Sequence, residues 1–284
     1  MTTNRRQWTA GVLGAAVMLT GCGAASSSAA TTSSTVATAT ANPVLDAYQK
    51  TVAAKTAGVS LNETVTGTSA GPVTVSGTGQ VDFASGAAQF SLSVPSAGTF
   101  AIRLVKPVLY LQFPSALKSV LPAGKSWVSI NLDTAGKSAL GASFSQLSDS
   151  AGLGTDALSY LGGVSATGVT TVGPATVDGV QTTEYSATID LAKAAAQKDP
   201  QVRAALQRLE GQLHLSSVPV EVWIDAQGQV RQIAIQESVT TAGTTANVQV
   251  TIGFFDFGAP VDVVPPPADQ TVDSSTLSGA LAGA

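Results

Sequence analysis

The chain has a single cysteine and a single histidine. With one cysteine no internal disulfide can form, so the fold must be held by its own core. With one histidine, His214, there is no His/Cys metal set and no Cys–His nucleophile pair. Charge is also scarce: Asp, Glu, Lys and Arg make up 11% of residues, against about 25% in an average domain, which excludes a charged coiled coil. Fourteen basic residues stand against 18 acidic ones, without basic clusters, so the chain is a poor candidate for nucleic acid. No internal repeat at solenoid periods is visible. Ala, Gly, Ser, Thr and Val fill the gap, and the Thr and Val content favours strands. The length suits one large domain with a real core or two small ones.

The first 22 residues carry the densest information. Arg5-Arg6 is followed by an apolar run from Trp8 to Leu19, then Thr20-Gly21-Cys22. Basic residues, a short apolar segment and small residues at a cleavage point are the layout of a signal peptide, and the run is too short for a span of about 20 residues. Leu19-Thr20-Gly21-Cys22 resembles the lipobox of bacterial lipoproteins. That resemblance implies cleavage before Cys22, diacylglyceryl modification of its thiol and palmitate-type acylation of the new N-terminus. The mature chain is then anchored on the extracytoplasmic face of the cell membrane. An ordinary signal peptide with an incidental Cys is the alternative. Arg5-Arg6-Gln7-Trp8 resembles a twin-arginine export signal as well, though adjacent arginines are common in basic leaders, so the export route stays open. Losing residues 1–21 removes Arg5 and Arg6 and no acid, so 14 against 18 becomes 12 against 18, a balance of about −6.

Residues 22–42 are nearly all Ala, Ser and Thr and read as a flexible tether with a reach of about 25 Å. Val44, Leu45, Tyr48 and Val52 then fall at helical spacing, with Pro43 in the first turn and Gly58 as the expected stop. A run of period-two segments follows, separated by turn signals: Val59 and Leu61, Val73 to Phe83, Phe90–Val94, Phe100–Leu104, Leu109–Phe113 and Trp127–Ile130. This is the pattern of an antiparallel meander with one apolar face. Pro114–Leu121, residues 134–161, Leu191–Gln197 and Gln201–Leu213 read as short helices. Further strands are expected at Val169–Val172, Thr182–Ile189, Val220–Ile224, Val230–Val239 and Ala246–Phe254. Asp178-Gly179 is a hairpin signal. Pro265-Pro266-Pro267 is read as the end of regular structure, and 265–284 as a disordered tail.

Gly79-Gln80-Val81-Asp82-Phe83, Leu109-Tyr110-Leu111, Lys125-Ser126-Trp127-Val128-Ser129-Ile130 and Val220 through Val230 stand in that order behind the lipobox. Together they resemble the LolA-like bacterial lipoproteins, in particular the actinobacterial LppX/LprG-type branch, over residues 43–257. The resemblance implies an α+β fold: a strongly curved antiparallel half-barrel whose concave face is covered by helices, with acyl chains held in between. It implies binding and transport or presentation of acylated lipids or lipoglycans over 43–264, with no catalytic residue and no cofactor or metal. A membrane transporter is a further expected partner.

The residues agree on one point: a sheet with one apolar face must bury it against something. The in-phase apolar set is Val73, Val75, Phe90, Leu92, Phe100, Ile102, Leu104, Leu109, Leu111, Val222, Ile224, Ile233, Ile235, Val248, Val250 and Ile252. These are the candidate cavity wall, and core packing explains most of them whatever the function. Helices that fill the space completely are the alternative; the chain would then be an envelope interaction protein docking a partner protein or wall polymer.

Other constellations are weak. Gly124-Lys125-Ser126 and Gly136-Lys137-Ser138 lack the upstream glycine of a phosphate loop. Glu221 and Asp225 share a polar strand face with Trp223, where solvation explains them better than acid–base work. Glu63 stands apart, in phase with Val59, Leu61 and Val65 on the apolar face. A carboxylate there must be paired, protonated or near a cavity mouth.

Overall fold

A computed structural model of the chain describes residues 42–67, 71–95, 97–116, 121–134, 158, 160–165, 168–196, 216–241 and 244–281. The leader with Cys22, the tether and His214 lie outside the described residues, as do 135–157 and 197–215, where most of the helical cover is expected.

Helix α1 spans Pro43–Ala53. Asn42 caps it, its side chain accepting from the backbone N–H groups of Val44 at 3.2 Å and Leu45 at 3.1 Å, and Pro43 occupies a first-turn position that lacks no needed donor. Val44, Ala47 and Thr51 form the buried stripe. The Thr51 hydroxyl donates to the Ala47 carbonyl at 2.7 Å and accepts from the Val230 N–H at 2.8 Å, tying the end of the helix to the sheet. The helix ends earlier than expected, because Lys55 turns the chain with φ 71°. Gly58 is not its terminator: it lies within the first strand, where the Phe255 ring occupies the space of a side chain.

Among the described residues twelve strands follow: β1 Thr56–Thr66, β2 Val73–Asp82, β3 Ala87–Val94, β4 Gly98–Val105, β5 Val108–Gln112, β6 Trp127–Asn131, β7 Thr170–Val177, β8 Val180–Asp190, β9 Ser217–Asp225, β10 Val230–Thr241, β11 Thr244–Phe255 and β12 Thr271–Asp273. They form one sheet in the order β12-β6-β5-β4-β3-β2-β1-β11-β10-β9-β8-β7. Every pairing is antiparallel except β12 with β6, which is parallel. The sheet is open, with β12 and β7 as its two edges. A sheet this wide curls with its twist, since open sheets rarely exceed about ten strands flat. This is the curved, mostly antiparallel α+β architecture expected. Asp178 and Gly179, with φ of 47° and 80°, turn β7 into β8 in the expected hairpin.

The apolar residues of the inner face form one cluster running from Val128 and Ile130 on β6 to Ala187 and Ile189 on β8. Helix α1 lies over β9 and β10 and meets a single helical turn at Leu161–Gly163. Helix α2, Leu191–Ala196, follows β8 directly and packs on the same turn, burying Leu191, Ala194 and Ala195.

The expected disordered tail is corrected. After β11 the chain crosses to the far edge of the sheet. It is held by Gly258 N–H to the Thr56 carbonyl at 3.0 Å, by the Arg103 guanidinium to the Val264 carbonyl at 3.1 Å and by Ser126 N–H to the Gln270 carbonyl at 2.9 Å. Strand β12 then pairs with β6, and helix α3, Ser274–Leu281, buries Leu277 against the core. The three prolines do not stop regular structure: Pro266 is itself buried, a helical turn begins at Ala268 directly after them, and the small polar segment beyond has an open strand edge to join.

Candidate functional site

Strand pairing arranges the inner face in rungs. The deepest runs Ile130–Leu109–Leu104–Ala88–Val81–Ala57. The next is Val128–Leu111–Ile102–Phe90–Gly79–Val59–Phe254. A third is Phe100–Leu92–Gly77–Leu61–Ile252–Ile233–Val222. Beyond it stand Val75–Glu63–Val250–Ile235, then Val73–Val65–Val248–Glu237.

Burial falls along this series. In the first three rungs Leu104 and Phe100 are only partly buried, and the other named side chains are buried. In the last two every residue is partly exposed, and Val73 reaches 38%. The apolar pattern therefore outruns the core by two rungs. With neighbouring strands about 4.8 Å apart and residues of one face about 7 Å apart along the strand, this margin measures about 15 Å by 7 Å.

Each candidate wall residue has its place. Phe90, Leu92, Ile102, Leu109, Leu111, Val222, Ile224, Ile233 and Ile252 are buried in the core, and Phe100, Leu104, Ile235 and Val250 are partly buried against it. Val73, Val75 and Val248 stand on the outer margin. Phe100 meets Phe113 edge to face, with ring centroids 6.2 Å apart. Gly77 and Gly79 leave slots on β2, filled by the side chains of Leu92 and Phe90 leaning across from β3.

Glu63 is where its phase placed it, between Val75 and Val250. Burial holds its carboxyl above the ordinary glutamate value of 4.5, because an apolar surround disfavours the charged form. The register adds a second carboxylate, Glu237, opposite Val248. Its Oε1 is closed off from solvent and has no hydrogen-bond partner. The signal was present in the sequence, since Glu237 is in phase with Ile233 and Ile235, but its nearness to Glu63 needs the pairing of both strands with β11.

The opposite face of the sheet is polar. The Gln89 amide donates to Gln80 at 2.9 Å, and a shallow hollow of about 290 Å³ is lined by Ser76, Gly77, Thr78, Ser91, Ser93 and Thr99. Small hydroxyls do not suit hydrocarbon. Trp127 is buried on this side under the Arg103 guanidinium, 5.0 Å from its ring, and Trp223 is partly buried. Asp225 is not solvated as expected. Its carboxylate is buried, 2.6 Å from Arg231 Nε, and accepts from the N–H groups of Gln227 and Gln229. Glu221 is exposed. Lys125 sits in the turn before β6, its ammonium on the Asp269 carbonyl. Among the described residues no three His, Cys, Asp or Glu side chains group as metal ligands, and no helix is long and apolar enough to cross a membrane.

No family model matches the chain, and no curated protein does. Among solved structures it is similar to the Mycobacterium tuberculosis lipoprotein LppX, at 16% identity over 79% of this chain and 100% of that one, with a TM-score of 0.42. It is similar to LprF from Mycobacterium bovis, at 18% identity over 80% and 96%, TM-score 0.40. A LolA superfamily protein from Nitrosomonas europaea stands at 8% identity over 77% and 95%, TM-score 0.29.

Proposed function

We propose that the chain is a non-enzymatic envelope lipoprotein, anchored through an acylated Cys22 on the extracytoplasmic face of the cell membrane. It carries acylated lipids or lipoglycans on the inner face of its sheet and exchanges them with the membrane or a membrane transporter. The observation that supports this is the margin of two rungs, where Val65, Val73, Val75, Val248, Val250 and Ile235 continue the apolar pattern past the closed core. Each methylene taken out of water there contributes about 0.8 kcal/mol, so acyl chains bind with few directed contacts.

The test is purification of the full-length chain without detergent, organic extraction and mass spectrometry, beside titration with fluorescent acyl probes. Co-purifying acyl lipid and saturable probe uptake are expected. Absence of both overturns the reading.

A further inference from the structure

The apolar margin is interrupted twice, and both times by glutamate. Glu63 and Glu237 flank β11, one rung apart, so their backbones stand about 12 Å from each other across the sheet. Their neighbours on the same face are Val65, Val73, Val75, Val248, Val250 and Ile235. A carboxylate among aliphatic side chains is costly unless donors reach it. Simple cavity lining would be served better by valine at both positions. One oxygen of Glu237 is shut away from water and has no hydrogen-bond partner among the described residues, so an acceptor stands ready at the limit of the apolar strip. Neither rung carries a lysine or arginine.

We propose that Glu63 and Glu237 form the headgroup end of the acyl-binding face and select lipids whose headgroup donates hydrogen bonds and bears no negative charge. The inference rests on the carrier reading and narrows it. Hydroxyls of a polyol or an ammonium supply a donor to the closed-off oxygen of Glu237 and to the half-buried carboxyl of Glu63. A phosphate brings more acceptors and a repelling charge to a place with no cation on either rung. Hydrocarbon lies on the valine and isoleucine strip, and the headgroup stops at the two carboxyls.

The test uses the full-length chain freed of lipid and four ligands with the same sixteen-carbon chain: monopalmitoylglycerol, hexadecylamine, methyl palmitate and palmitoyl lysophosphatidic acid. Affinities are read by displacement of diphenylhexatriene. Monopalmitoylglycerol or hexadecylamine should bind about tenfold more tightly than methyl palmitate, a difference of about 1.4 kcal/mol, and lysophosphatidic acid more weakly than either. The one that leads tells hydroxyl from ammonium as the donor. In the double variant Glu63→Val/Glu237→Val the preference should disappear, and methyl palmitate should bind more tightly than before because valine lengthens the apolar strip; urea unfolding of the same variant checks that the sheet is intact. Equal wild-type affinities for all four, tightest binding of lysophosphatidic acid, or a preference that survives in the double variant would overturn the assignment. A wild-type chain that binds none of the four defeats the carrier reading itself.

Discussion

Arg231 Nε lies 2.6 Å from Oδ2 of Asp225, whose side chain is wholly buried at the foot of the β9–β10 hairpin. The other oxygen, Oδ1, accepts from the Gln227 and Gln229 N–H groups at 3.0 and 2.9 Å. Arg231 also covers the Phe257 ring at 4.8 Å. One carboxylate therefore closes the turn and neutralises the cation. Asp225→Ala leaves three donors unpaired and should cost about 3 kcal/mol, the lower end for breaking a buried pair because Arg231 still reaches water. Asp225→Asn keeps an acceptor for the turn and should cost less. Urea unfolding of both variants checks the order.

Glu63 sets a pH dependence. Its carboxyl value is raised in the folded chain by burial, so the folded state holds that proton more firmly than the unfolded one. The contribution is fully present below about pH 4.5 and is lost as pH rises through the folded value. Glu63→Gln carries no charge to bury. Its Tm should exceed that of the parent chain at pH 7, and the gap should close as pH falls past 4.5. A gap that stays constant from pH 4 to 7.5 would show that the carboxylate finds enough partners or water in place.

Gly79 tests how tightly the inner face is filled beneath the margin. A methyl group there would run into the Gln89 carbonyl and the Phe90 ring. Gly79→Ala should cost about 1 to 3 kcal/mol, the range for overpacking a filled site, measured by denaturant unfolding. A neutral result would mean that Phe90 swings aside freely.

The anchor has its own test. Cys22→Ser should move the protein from the membrane fraction to the soluble one and abolish incorporation of labelled palmitate. Retention in the membrane fraction with undiminished label would refute the lipobox assignment.

Much of the fold was legible because period-two alternation is a local signal. The strands around Val81, Phe90, Ile102, Leu111 and Ile252 lie where alternation put them, and Pro43 and Asp178-Gly179 marked a helix start and a hairpin. Depth was not legible. Val73 and Phe90 have the same phase, yet one is 38% exposed and the other 6%, because phase gives the face and only the covering elements give the depth. Glu63 was visible as a carboxylate on the wrong face, whereas its partner across β11 depended on register. Asp225 was misread because its partner Arg231 stands at a bulge between Val230 and Gln232, where alternation breaks. The folded C-terminal stretch was missed because a three-residue strand such as β12 has no periodicity of its own and exists only where β6 offers an unfilled ladder.

That small strand has an effect beyond local stability. Thr271–Asp273 occupies the flank of β6, and at the other flank β7 carries Pro174 and a bulge beside Gly173, two devices that spoil a strand as a template. A wide open sheet with greasy side chains at its margin runs a standing risk of zipping onto its own copies. Here both borders are blunted, which works against that pairing while leaving the margin itself untouched.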